Sequence, residues 1–98
     1  NKVAPVEVEQ VLAEHRHVRE VAVVPAPCPT KHEIVAAFVA LERGVSGDDA
    51  LKRELREHVK ERLAFYKVPS VVTFVDALPR DAVGKVQTGL VRQWAAAK

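Results

Sequence analysis

Ile34-Val35-Ala36-Ala37-Phe38-Val39-Ala40-Leu41 is apolar at every position. A strand points alternate side chains to opposite faces, so an apolar run without alternation needs cover on both of them. This run is therefore the expected central strand of a small sheet. Upstream, Val18–Pro25 is rich in β-branched residues and ends in the proline-rich stretch Pro25 to Pro29, which predicts a second strand followed by a loop. Before it, Pro5 suits a first helical position, and Val8, Val11 and Leu12 repeat at helical spacing with Glu7 and Glu9 near the positive end of the dipole. That spacing predicts a helix from about Pro5 to His15.

Downstream of the central strand, Gly44-Val45-Ser46-Gly47 breaks the pattern, and Asp48 and Asp49 open a second helix. Leu51, Leu55, Val59 and Leu63 form its apolar stripe, while Lys52, Glu54, Arg56, Glu57, Lys60 and Glu61 face water with nearly balanced signs. Val71-Val72-Thr73-Phe74-Val75 reads as a third strand. Asp76 to Gln87, which contains Pro79 and Gly84, reads as a loop. Thr88 is placed to cap a last helix whose Leu90, Val91 and Trp94 share one face. The order helix, strand, strand, helix, strand, helix predicts an α+β fold, a three-stranded mixed sheet covered by helices on both faces, as one domain over residues 1–98.

Length agrees with one domain: 98 residues and 10.8 kDa support a modest core but no deep cleft. The chain is 48% hydrophobic and 29% charged, which excludes disorder and fibrous repeats. It holds no methionine, so it is expected to be a piece or a processed product. No run reaches the ~18–20 apolar residues of a membrane span, and Asn1-Lys2-Val3-Ala4-Pro5 lacks the apolar block of a signal peptide. The single cysteine, Cys28, can form no internal disulfide, and a reducing, cytoplasmic setting is expected.

Residues 1–47 carry five basic and six acidic groups, 48–78 six and six, and 79–98 four and one, so the net charge of +2 comes from the last segment. A protein that grips a nucleic-acid backbone shows a basic stripe over much of one face, and the first two segments supply none. The local excess around Arg80 and Lys85 suits a small anionic ligand instead. None of the four histidines forms an i, i+4 pair of the kind that holds zinc on a helix. His15, His17, His32 and His58 are read as structural or solvent-facing, with no metal site expected. The scattered glycines form no phosphate-binding loop.

What remains is Leu78-Pro79-Arg80-Asp81-Ala82-Val83-Gly84-Lys85-Val86, in which a rigid proline precedes a flexible glycine that carries a lysine to an exposed tip. An ammonium there can stabilise developing negative charge on a phosphate or carboxylate in a neighbouring domain's site. Because it contains glycine and carries the excess charge, Pro79–Gln87 is expected to be the most mobile internal segment.

Four ordered stretches resemble the C-terminal domain of the adenylate-forming enzymes, the superfamily of acyl-CoA synthetases, luciferases and peptide-synthetase adenylation domains. They are Asn1 to Glu9, His15 to Val24, Leu63-Ala64-Phe65-Tyr66-Lys67-Val68-Pro69, and Leu78-Pro79-Arg80 with Gly84-Lys85-Val86. The resemblance implies an acid–CoA ligase whose large N-terminal AMP-binding domain lies outside this chain and binds ATP, Mg2+ and a small carboxylic acid. Lys85 would be the catalytic residue of carboxylate adenylation, supported by Pro79, Arg80 and Gly84. Tyr66 and Lys67 would be contacts to coenzyme A or to the partner domain. The small domain would then rotate so that the thiol of coenzyme A attacks the acyl-adenylate. It is expected to fold alone and to be inactive alone, with no cofactor bound by itself.

Asp81 and Val83 stand where that family usually has hydroxyl residues, Thr88 where Arg or Lys is common, and Val91-Arg92 in place of Leu-Arg. Lys85 is untouched, but Val83 takes a hydroxyl out of the loop's support, and Asp81 is free to pair with Arg80 or Lys85. Lids of peptide-synthetase or luciferase-like enzymes are the alternatives within the resemblance. A non-enzymatic binding module is the alternative outside it; nucleic acid would be its ligand, against which stand the balanced charge of residues 1–78 and only five aromatics.

Overall fold

The computed structural model describes residues 5–30 and 32–96. Its elements follow the expected order: α1 (Pro5–Ala13), β1 (Val18–Cys28), β2 (His32–Leu41), α2 (Asp49–Lys60), one turn of 3₁₀ helix (Phe65–Lys67), β3 (Val71–Phe74) and α3 (Thr88–Ala96). The resembling stretch Asn1 to Ala4 lies outside the described residues.

The sheet runs β1-β2-β3, so the all-apolar strand is central. β1 and β2 pair antiparallel across a short turn, and β2 and β3 pair parallel because the chain returns through α2. The pleat divides β2 as the apolar run requires. Val35, Ala37 and Val39 pack with Val8, Val11 and Leu12 of α1 and with Leu51, Leu55 and Val59 of α2. Ala36 and Phe38 pack on the other face with Leu78 and with Val91 of α3. Asp48 caps α2, its Oδ1 accepting from the Leu51 N–H at 2.8 Å. Leu63 lies past the end of α2, half-buried against the same core.

Several boundaries differ from the sequence reading. β1 continues through Pro25 and Pro27 to Cys28. It is an edge strand whose odd-numbered residues point their backbone N–H groups away from β2; the Val23 N–H is taken by Glu9 Oε2 of α1 at 2.8 Å. Pro25 and Pro27 share that parity, so neither removes a ladder bond. His32, expected in the loop, is the first residue of β2.

α1 stops at Ala13 because the His58 ring donates to the Val11 carbonyl at 2.9 Å and the chain turns there. Thr88 opens α3 rather than capping it, the Gln87 carbonyl accepting from the Leu90 and Val91 N–H groups. Of its expected apolar face only Val91 is fully buried; Trp94 is 37% exposed and meets the Phe38 ring edge-on at 5.6 Å.

Candidate functional site

β3 delivers the chain to the site. After Val75 donates to the Val39 carbonyl at 2.9 Å, Leu78 drops into the α3-side core and fixes the start of the segment that follows. Pro79–Gln87 is a small hairpin. Gln87 N–H donates to the Pro79 carbonyl at 2.8 Å, Arg80 bridges to Val86, and Asp81 N–H donates to the Lys85 carbonyl at 2.9 Å. The turn is closed by Gly84 N–H on the Asp81 carbonyl at 3.0 Å, with Gly84 at φ +88°.

This corrects two expectations. The segment expected to be the most mobile is a hydrogen-bonded hairpin. The hydroxyl missing at Val83 is also made good by Asp81, whose Oδ1 accepts from both the Val83 and the Lys85 N–H groups at 3.0 Å. Asp81 thus organises the turn through the backbone instead of pairing with the Arg80 or Lys85 side chain. Gly84→Ala is expected to cost about 1–2 kcal/mol because its φ is left-handed, although nothing lies within 4 Å of the added Cβ. Faster amide exchange at Lys85, against unchanged exchange at Leu55, is the measurement.

Lys85 stands exposed at the end of this hairpin, and its ammonium makes no hydrogen bond or ion pair among the described residues. Arg80 is the link to the sheet. Its Nη1 donates to the Gly84 carbonyl at 2.7 Å, and its Nη2 pairs with the Glu20 carboxylate on β1. Glu20 N and O lie at the end of the sheet where β2 and β3 also finish, which brings strand and hairpin together across 60 residues.

Partial burial works to raise the Glu20 carboxyl. The hydrogen bonds from Arg80 and the Leu78 backbone, with the charges of Arg80 and Arg19, outweigh it and hold the pKa below 4.5. A carboxyl lowered on folding adds stability above its unfolded value and loses it as pH falls through its folded one. Titration of the Glu20 carboxyl by NMR should therefore give a midpoint below 4.5, with the Arg80 contact intact at pH 6 and released only under that midpoint. A midpoint above 4.5 would contradict the pairing.

Tyr66 and Lys67 are not brought to this hairpin. They lie in the 3₁₀ turn before β3, beyond which Ser70 N–H donates to the Val35 carbonyl, whereas the hairpin follows the other end of that strand. Lys67 Nζ is held by Glu7 Oε1 of α1 at 2.5 Å and lies 5.8 Å from the Tyr66 ring centroid. The Glu7 bond, against some desolvation, raises the Lys67 pKa above 10.5. Tyr66 is 44% exposed and Phe65 beside it 82%.

His15, His17 and His58 gather, which spacing along one helix could not reveal. His15 lies in the turn after α1, its ring centroid 5.3 Å from those of both His17 and His58. His15 Nδ1 accepts from the His17 N–H at 3.2 Å, so its proton sits on Nε2 and is donated to Glu54 at 2.6 Å. These contacts tie α1 to α2. Among the described residues no group of three or more His, Cys, Asp or Glu side chains is arranged to hold a metal ion. Nor is any described helix long and apolar enough to cross a membrane.

Residues 7–85 match the profile of the AMP-binding enzyme C-terminal domain. The human mitochondrial acyl-coenzyme A synthetase ACSM5 is 48% identical over 93% of this chain and 16% of its own length. The acetyl-coenzyme A synthetase of Bacillus subtilis is 39% identical over 95% of this chain and 16% of its own. The crystal structure of a Brucella canis acyl-CoA synthetase superposes with a TM-score of 0.92 at 40% identity, covering 97% of this chain and 18% of that one. The chain thus spans about one sixth of the length of the curated relatives it matches.

Proposed function

Because this chain belongs to the family of AMP-binding enzyme C-terminal domains, we propose that it is the small domain of an ATP-dependent acid–CoA ligase. The large AMP-binding domain of the same polypeptide is its partner, with ATP, a small carboxylic acid and coenzyme A as substrates. The observation that carries this reading is an uncommitted lysine, Lys85, at the tip of a hairpin fixed by Asp81 and Arg80.

In the first half-reaction a carboxylate oxygen attacks the α-phosphorus of ATP, the bond to the β-phosphate breaks, and pyrophosphate leaves. Two anions must meet, so a fixed cation beside them lowers the barrier. Lys85 supplies that cation from a hairpin whose hydrogen bonds are already made, which avoids reorganisation as charge moves. A stiff hairpin does not deliver the ammonium by its own motion, so the proposal places the motion in the domain as a whole. In the second half-reaction the thiol attacks the acyl carbonyl and AMP leaves, with Lys85 withdrawn.

Relatives named for acetyl and for broader acyl substrates match this domain to a similar degree, which supports placing the choice of acid outside it. The cytoplasmic setting expected from the lone cysteine belongs to this proposal, although ACSM5 is mitochondrial by name. Assaying the two half-reactions of the full-length enzyme separately, with and without the Lys85 ammonium, tests the reading.

A further inference from the structure

We propose that Glu20 is a positioning residue for Lys85: through Arg80 it aims the hairpin, while Asp81 gives the hairpin its shape. The inference rests on the role proposed for Lys85 and adds a residue to it.

The two carboxylates have separate tasks. Both Asp81 bonds stay within the turn, to the N–H groups of Val83 and Lys85, and would survive if the hairpin swung as a unit. The Arg80 bond to the Gly84 carbonyl is likewise internal, since both residues belong to the hairpin. Among the described residues, the side-chain hydrogen bond that leaves the hairpin is made by the other arm of the same guanidinium and ends on Glu20, while Val86 contributes apolar packing against the α3-side core. Glu20 is itself seated on β1, a strand packed between layers, with its side chain 19% exposed and Arg19 3.6 Å away. Arg19 donates in turn to the Asp76 carbonyl at 2.6 Å, tying β1 to the approach of the same hairpin.

A planar guanidinium held at both ends transmits direction as well as attachment. The carbonyl it holds belongs to the residue immediately before Lys85, so a change at Glu20 is passed to the lysine's own backbone. Near-attack geometry tolerates little error, and a misplacement of about 1 Å can cost two orders of magnitude in rate.

The test uses the full-length enzyme and measures acid-dependent ATP–pyrophosphate exchange apart from thioester formation from supplied acyl-adenylate and coenzyme A. Glu20→Ala is expected to lower the kcat of exchange about tenfold with little change in KM for ATP, and to leave thioester formation unchanged. Glu20→Gln, which keeps an acceptor for Arg80, should recover most of the loss. In a Lys85→Ala background Glu20→Ala should cost nothing further, because there is no ammonium left to aim.

Full exchange activity in Glu20→Ala, an equal loss in both half-reactions, or the same tenfold loss without Lys85 would each overturn the inference. If Lys85→Ala impairs exchange and Glu20→Ala does not, the aim of the hairpin is set elsewhere and the role of Lys85 stands. If Lys85→Ala leaves exchange intact, both fall together.

Discussion

Lys85→Ala in the full-length enzyme should depress ATP–pyrophosphate exchange by about 10²–10³-fold, the size seen when one preorganised electrostatic donor is removed. The substitution leaves the fold alone, because the side chain is exposed and makes no bond among the described residues. Thioester formation from supplied acyl-adenylate should stay near the parent rate, since the proposed cycle withdraws the lysine before the thiol attacks. Unchanged exchange would take Lys85 out of the mechanism, and equal loss of both half-reactions would make its role structural.

The second large effect is on stability. Phe38→Ala should cost about 3–5 kcal/mol, the usual range for deleting a buried aromatic ring. Phe38 is 3% exposed, in the layer between the sheet and α3, and its edge contact with Trp94 is lost as well. Against a total of about 5–15 kcal/mol for a domain, that is a large share, and for a domain at the low end of the range it unfolds much of the population. Urea denaturation of the 98-residue chain measures it. Phe65→Ala is the control: that ring is 82% exposed, and its loss should move the midpoint by no more than about 0.5 kcal/mol. A Phe38→Ala cost as small as the control's would mean that α3 does not close this face.

The strongest signals in the sequence concern burial. Eight successive apolar residues identify β2 as central because only a strand covered twice avoids alternation, and the Leu51, Leu55, Val59 stripe identifies α2. Errors fall where a neighbour decides. Prolines 25 and 27 look like breakers until β1 is known to lie at an edge with their parity facing outward. The end of α1 is set by a histidine from α2, 47 residues on.

The site divides in the same way. Lys85 and its glycine are visible as a pair, but the hairpin is not, because Asp81 reads as a departure from a hydroxyl until its carboxylate is seen on two backbone N–H groups. Glu20 could have been flagged as the one acidic residue of a mostly apolar strand. Its partner lies 60 residues away, and no local pattern links them.

The outer rim of β1 has one more consequence. With the Val23 N–H already engaged and two prolines beyond it, that rim from Val23 onward offers a second chain no free N–H donor to pair with. A body that meets the domain on this side finds half the usual donors of a strand ladder missing, so side chains and shape carry most of the contact and few main-chain rungs have to be broken on leaving. For a domain proposed to change its seat within every catalytic cycle, this keeps departure fast: an interface with few rungs releases readily, and its lifetime is set mostly by side-chain packing.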